Sequence, residues 1–95
     1  MREITISLSH VYLRKEFHEA VWKALGPEGE NLLPDYYGKN LDALADALDE
    51  VSEPLQITFT EVGEAEFWMK PYLQRVYRMA AHVNHENPSV KILFK

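Results

Sequence analysis

The sequence predicts an α/β fold built on a small parallel sheet. Residues alternate polar and apolar, or run apolar, in three short β-type segments, 3–8, 55–60 and 90–94. Each gap between them has room for two helices, which gives the order β-α-α-β-α-α-β. Strands separated by helices cross over and pair in parallel. Their alternation predicts a sheet with one face under helices and the other less buried. At 95 residues the chain is expected to be one domain spanning 1–95.

The first strand is Glu3–Leu8, with β-branched Ile4 and Ile6. Apolar residues Leu13, Phe17, Ala20, Val21, Ala24 and Leu25 then fall on one face of a helix. Gly26-Pro27 ends it, since proline cannot continue a helix. Residues 28–31 read as a loop and 33–38 as a bend, where Pro34 fixes one φ and Gly38 is expected to supply a left-handed one. A second helix over 40–48 buries Leu41, Leu44 and Leu48. Asp42, Asp46 and Asp49 form the opposed stripe. Pro54 opens the strand Leu55–Thr60. A short helix over 61–69 follows, then another with Pro71 in its first turn and Tyr72, Leu73, Val76, Tyr77, Ala80 and Val83 inward. Asn87-Pro88 is a turn into the last strand, Val90–Phe94.

Composition removes several function classes. There is no cysteine, hence no disulfide scaffold, Cys-based zinc site, redox pair or thiol nucleophile. That suits a reducing, cytoplasmic setting. The start Met-Arg-Glu-Ile-Thr-Ile predicts no signal peptide, and no run is long enough for a membrane span. The net charge of -5 argues against direct binding of nucleic acid, because phosphate contacts need cations. All of that charge lies in 35–53: Asp35, Asp42, Asp46, Asp49, Glu50 and Glu53 stand there against Lys39. The rest of the chain holds nine acids and nine bases.

Residue chemistry leaves few catalytic options. Asp42 and Asp46 are one turn apart, with carboxyl groups within ~6 Å, a spacing that can serve acid–base work or a hard cation. No cleft or calcium-loop spacing accompanies them. His82 and His85 are three residues apart without a third ligand in view, and His10 and His18 stand alone. All four read as surface histidines. Trp22 and Trp68 read as core or half-buried. No Gly-rich phosphate loop, HExxH or GxSxG is present. No cofactor and no metal site is expected. What remains is a binding surface: two tyrosines, a glycine bend and an acidic helix, suited to a basic protein partner.

The segment Leu33-Pro-Asp-Tyr-Tyr-Gly-Lys-Asn-Leu-Asp-Ala-Leu-Ala-Asp-Ala-Leu48 resembles the hallmark of the barstar family of intracellular ribonuclease inhibitors. The order of the remaining elements agrees over nearly the whole chain. The resemblance implies a two-layer α/β fold with a three-stranded parallel sheet in order 1-2-3, and an inhibitor rather than an enzyme. It implies that Tyr36 and Tyr37 pack on the rim of a ribonuclease and that Gly38 and Asn40 shape the approach. Asp42 and Asp46 would meet the cationic catalytic groups, Asp46 in place of a substrate phosphate. Leu41, Ala45 and Asp49 complete the expected interface. The implied partner is a basic microbial ribonuclease or ribonuclease-type toxin domain, met by a free monomer.

Three departures mark this chain. Ala45 stands where the family has a tryptophan, Met79 where it has a glutamate, and the 26–32 loop is longer; the family's cysteines are also absent from the chain. Asp49 and Glu50 are placed to restore some of the lost charge. An adaptor that turns the same fold on another basic partner is the alternative. A small hydrolase or metal protein built on Asp42 and Asp46 is a third reading.

Overall fold

The structure is a computed structural model that describes residues 1–34 and 37–95. Its elements are β1 (Arg2–Ser7), α1 (Arg14–Leu25), α2 (Leu41–Asp49), β2 (Leu55–Thr60), α3 (Val62–Glu86) and β3 (Val90–Phe94). The strands form one parallel sheet in the order β1-β2-β3. Register places Ile4 beside Ile57 and Ile57 beside Ile92, a β-branched row across the sheet. Together with Leu55, Phe59 and Val90 that row faces the helices and is buried. On the other face Glu3, Thr5 and Lys91 are exposed, and Thr58, on the central strand, is buried. The two-layer arrangement expected from the alternation is therefore present.

The helical layer closes over the sheet with Phe17, Val21 and Leu25 of α1, Leu44 and Leu48 of α2, and Leu73, Val76 and Val83 of α3. Phe17 stacks on Phe59 of the central strand at 5.6 Å. The start of α1 is capped by Glu16, whose carboxylate accepts from the backbone N–H groups of Tyr12 and Leu13, both at 3.0 Å.

The structure differs from sequence expectation at four places here. The two helices expected over 61–86 are one kinked helix, α3, broken only at Met69 (φ -141°, ψ 40°). The break lies two residues before Pro71, which supplies no N–H and whose ring would clash with the carbonyl of Phe67. Among the described residues of the bend before α2 it is Lys39 that is left-handed (φ 53°), and no glycine has positive φ. At Gly38 a Cβ would stand 3.0 Å from Nδ2 of Asn40, a tight contact that this exposed side-chain end can relieve by a small shift. His18 is buried at 3% exposure rather than on the surface, and Trp68 is exposed at 59%. Trp22 is half-buried as expected. No helix among the described residues is long and apolar enough to cross a membrane.

Candidate functional site

The candidate face is α2 with the turn that leads into it. Three leucines, Leu41, Leu44 and Leu48, turn inward and fix the helix against the core. Asp42, Asp46 and Asp49 are then forced outward, and all three are exposed with Glu50. Ala45 sits between the acids, half-buried. Among the described residues no ion pair engages any of these four acids. Asp42 lies in the first turn, where the helix dipole favours an anion. Asp49 and Glu50 lie at the opposite end, which carries no basic residue and where a negative charge is disfavoured. Helix stability therefore does not explain the acids at 49 and 50.

Both ends of α2 are tied down. At the start, Oδ1 of Asn40 accepts from the Ala43 N–H at 2.8 Å, and Nδ2 of Asn40 donates to the Gly38 carbonyl at 3.3 Å. At the far end the buried Asn87 reaches across from α3. Its Nδ2 donates to the carbonyls of Leu48 at 2.9 Å, Asp49 at 3.3 Å and Val51 at 2.8 Å. Leu48 and Asp49 end α2, where carbonyls lack partners four residues on within the helix, and Val51 lies just beyond it. The carboxylate row is thus carried on a rigid support.

The turn before α2 hangs on Tyr37. This residue, expected on the exposed interface, is only 7% exposed. Its ring stacks flat on Trp22 (5.9 Å, 8°) and its hydroxyl meets Nδ1 of His18 at 2.7 Å. Nε2 of His18 meets the Tyr72 hydroxyl at 2.5 Å. A chain of three side chains therefore crosses from the turn through α1 to α3. Burial, and next the Arg14 guanidinium, hold the His18 pKa down to about 4, so the ring is neutral. Burial raises both tyrosines above their ordinary value. Gly38 and Asn40 are exposed beyond Tyr37, and Leu41 is buried at 8%. Tyr36, the other expected anchor, lies outside the described residues, as does Asp35.

Two neighbours of the face were missed at the level of sequence. His18 keeps helical spacing with Val21 and Leu25, a signal that it shares their buried stripe. Arg75 and Arg78 of α3, with His82, line a groove with Asp42 and Ala45, so two guanidinium groups stand beside the acids. Met79 is buried at 8% and contributes no charge there. Among the described residues no three His, Asp or Glu side chains are grouped as a metal site would need.

The chain matches the family model described as Barstar (barnase inhibitor) over residues 1–94. No curated protein matches the chain.

Proposed function

The chain belongs to the barstar (barnase inhibitor) family, and on that premise we propose that it inhibits a barnase-type ribonuclease by plugging its active site. The observation that carries the reading is the row Asp42, Asp46 and Asp49. These carboxylates are exposed, unpaired among the described residues, and held on a helix capped at both ends. A ribonuclease binds a polyanion, so its active site is cationic. Carboxylate oxygens meet Arg, Lys and His with the same charge-assisted hydrogen bonds as phosphate oxygens do. The helix carries no group able to be cleaved, so the enzyme is occupied without turnover.

In this proposal Asp46 takes the place of the scissile phosphate and Asp42 a neighbouring cation. Asp49 extends the row, and Asn40, Gly38 and Tyr36 form its approach. Tyr37 and Leu41 act from inside, as the anchors that hold the turn and the first helical residue in place. Ala45 leaves a shallow spot between the acids for a bulkier enzyme side chain. The protein acts as a monomer in the cytoplasm, as an immunity factor against a basic ribonuclease or ribonuclease-type toxin domain.

The test is titration of the purified protein against a panel of secreted barnase-type ribonucleases, with RNA cleavage as readout. Stoichiometric loss of activity of at least one is expected. Activity of all of them untouched at micromolar inhibitor would refute the proposal. Asp46→Ala is expected to weaken binding by roughly 10- to 100-fold, the cost of a lost hydrogen bond to a charged group, while Glu3→Ala leaves it unchanged.

One observation favours a second reading. The groove beside Asp42 is lined by Arg75 and Arg78, so the partner must tolerate cations next to the acids it binds. A basic protein other than a nuclease, presenting an acidic flank, also meets that demand. Recovery of such a protein, with no ribonuclease inhibited, would favour the adaptor.

A further inference from the structure

The cations of this chain gather in space although the sequence scatters them. Arg14 and Lys15 at the start of α1, Lys39 in the turn before α2, and Arg75 in α3 line one pocket of about 330 Å³. No carboxylate lines it; His18, Asn40, Leu41 and Tyr72 complete the wall. Lys15 is paired with Glu19 at 3.8 Å. Among the described residues Arg14, Lys39 and Arg75 have no acidic partner. The Arg75 guanidinium rests over the Tyr72 ring, 5.5 Å from its centre. In a chain with 15 acids, cations brought together without one of them create a local field that attracts an anion.

The hydrogen bonds beneath the pocket supply a second argument. The Tyr37 hydroxyl is buried, and its partner among the described residues is Nδ1 of His18. A buried hydroxyl hydrogen needs an acceptor, so Tyr37 donates to Nδ1. A neutral imidazole then carries its own hydrogen on Nε2 and donates it to the Tyr72 oxygen. The hydrogen of the Tyr72 hydroxyl is left without an acceptor among the described residues, on a side chain that lines the cationic pocket.

From the three cations without an acidic partner among the described residues and this spare donor we propose that the pocket between α1, α2 and α3 is an oxyanion site that takes a phosphate group. Arg14, Lys39 and Arg75 supply charge, and the Tyr72 hydroxyl donates a hydrogen bond. A single phosphate fits this setting better than a polyanion, because the chain as a whole is negative. The phosphate can be free or the terminal group of a nucleotide. A second groove shares Arg14, Tyr72 and Arg75 and runs on to Tyr12 and the exposed Trp68, where a base can stack.

The test needs no ribonuclease, so its outcome is separate from that of the proposed inhibition. Backbone amide and indole NMR spectra of the full chain are followed during titration with inorganic phosphate. Uridine 3′-monophosphate is titrated in parallel, both at fixed ionic strength. Saturable shifts at Lys39, Asn40 and Leu41 are expected, with a midpoint on the order of 1 mM for a few charge-assisted hydrogen bonds. Arg14→Gln with Arg75→Gln is expected to weaken binding at least about tenfold, and Tyr72→Phe roughly three- to tenfold. Tighter binding of the nucleotide with a shift of the Trp68 indole assigns the nucleotide; equal binding assigns free phosphate. The proposal is overturned by the absence of saturable shifts with both probes or by shifts that sodium chloride reproduces. Shifts undiminished in the Arg75→Gln single variant, which changes an exposed side chain, overturn it as well.

Discussion

His18 carries more of this molecule than its place in the sequence suggests. It is buried, neutral and bonded to two tyrosines, and through Tyr37 it fixes the turn that starts the acidic helix. Its pKa is held down to about 4 in the fold, chiefly by burial, against an ordinary value of 6.5. The unfolded chain therefore takes up a proton at a pH where the folded chain does not. His18 thus contributes stability that is complete above pH 6.5 and is lost as pH falls from there toward 4. Thermal unfolding followed between pH 7 and 4.5 is expected to show a declining Tm, with a shallower decline in His18→Gln. Tyr37→Phe keeps the stack on Trp22 but leaves Nδ1 of a buried ring without its donor. A loss of about 1–2 kcal/mol by urea unfolding is expected. Neither role was legible from residue type. The spacing of His18 with Val21 and Leu25 was the available sign, and it was outweighed by the usual exposure of histidine.

At the scale of elements, α2 is stabilised from outside itself. Asn87 lies 38 residues from Asp49, yet its side-chain amide closes the helix end with three carbonyls. Asn87→Ala is expected to cost about 1–3 kcal/mol, since buried acceptors lose their donor, and urea midpoints would report it. Loss of the cap in Asn40→Ala is expected to cost ~1 kcal/mol by the same measurement. Asp49→Asn should do the reverse. It removes a negative charge from the wrong end of a helix dipole and is expected to stabilise the free protein by ~0.3–1 kcal/mol. In the proposed function the same change weakens binding, and opposite signs in the two assays would separate support from function. Strand and helix positions were legible because each leaves its own periodicity in the sequence. The join of two helices into the kinked α3, and the left-handed turn at Lys39 rather than Gly38, were not. Both depend on how the flanking elements must meet.

Over the whole molecule the surface is divided by charge. The excess of acid is on α2 and its flanks, while cations from α1, the turn and α3 meet in one pocket beside it. If the acidic face seeks a cationic active site, its field should steer the encounter. The association rate is then expected to fall steeply with salt while dissociation changes little, because the Debye length shrinks from ~10 Å at 0.1 M to ~3 Å at 1 M. Stopped-flow mixing with an inhibited ribonuclease at several salt concentrations would show it. Parallel pairing and the location of the net charge were within reach of the sequence pattern, and the sheet order came with the family resemblance. The motif at 33–48 carried the family, since a dense run of tyrosines, glycine and paired aspartates is rare by chance. By itself the sequence determined which residues alternate, which cluster and where the charge lies, because those are properties of neighbours along the chain. Only the tertiary structure decided that Tyr37 turns inward, that Asn87 closes α2, and that residues 14, 39 and 75 share one pocket. Those outcomes depend on which distant segments pack together, and packing obeys shape and the need to satisfy every buried polar group, neither of which is written into any single segment.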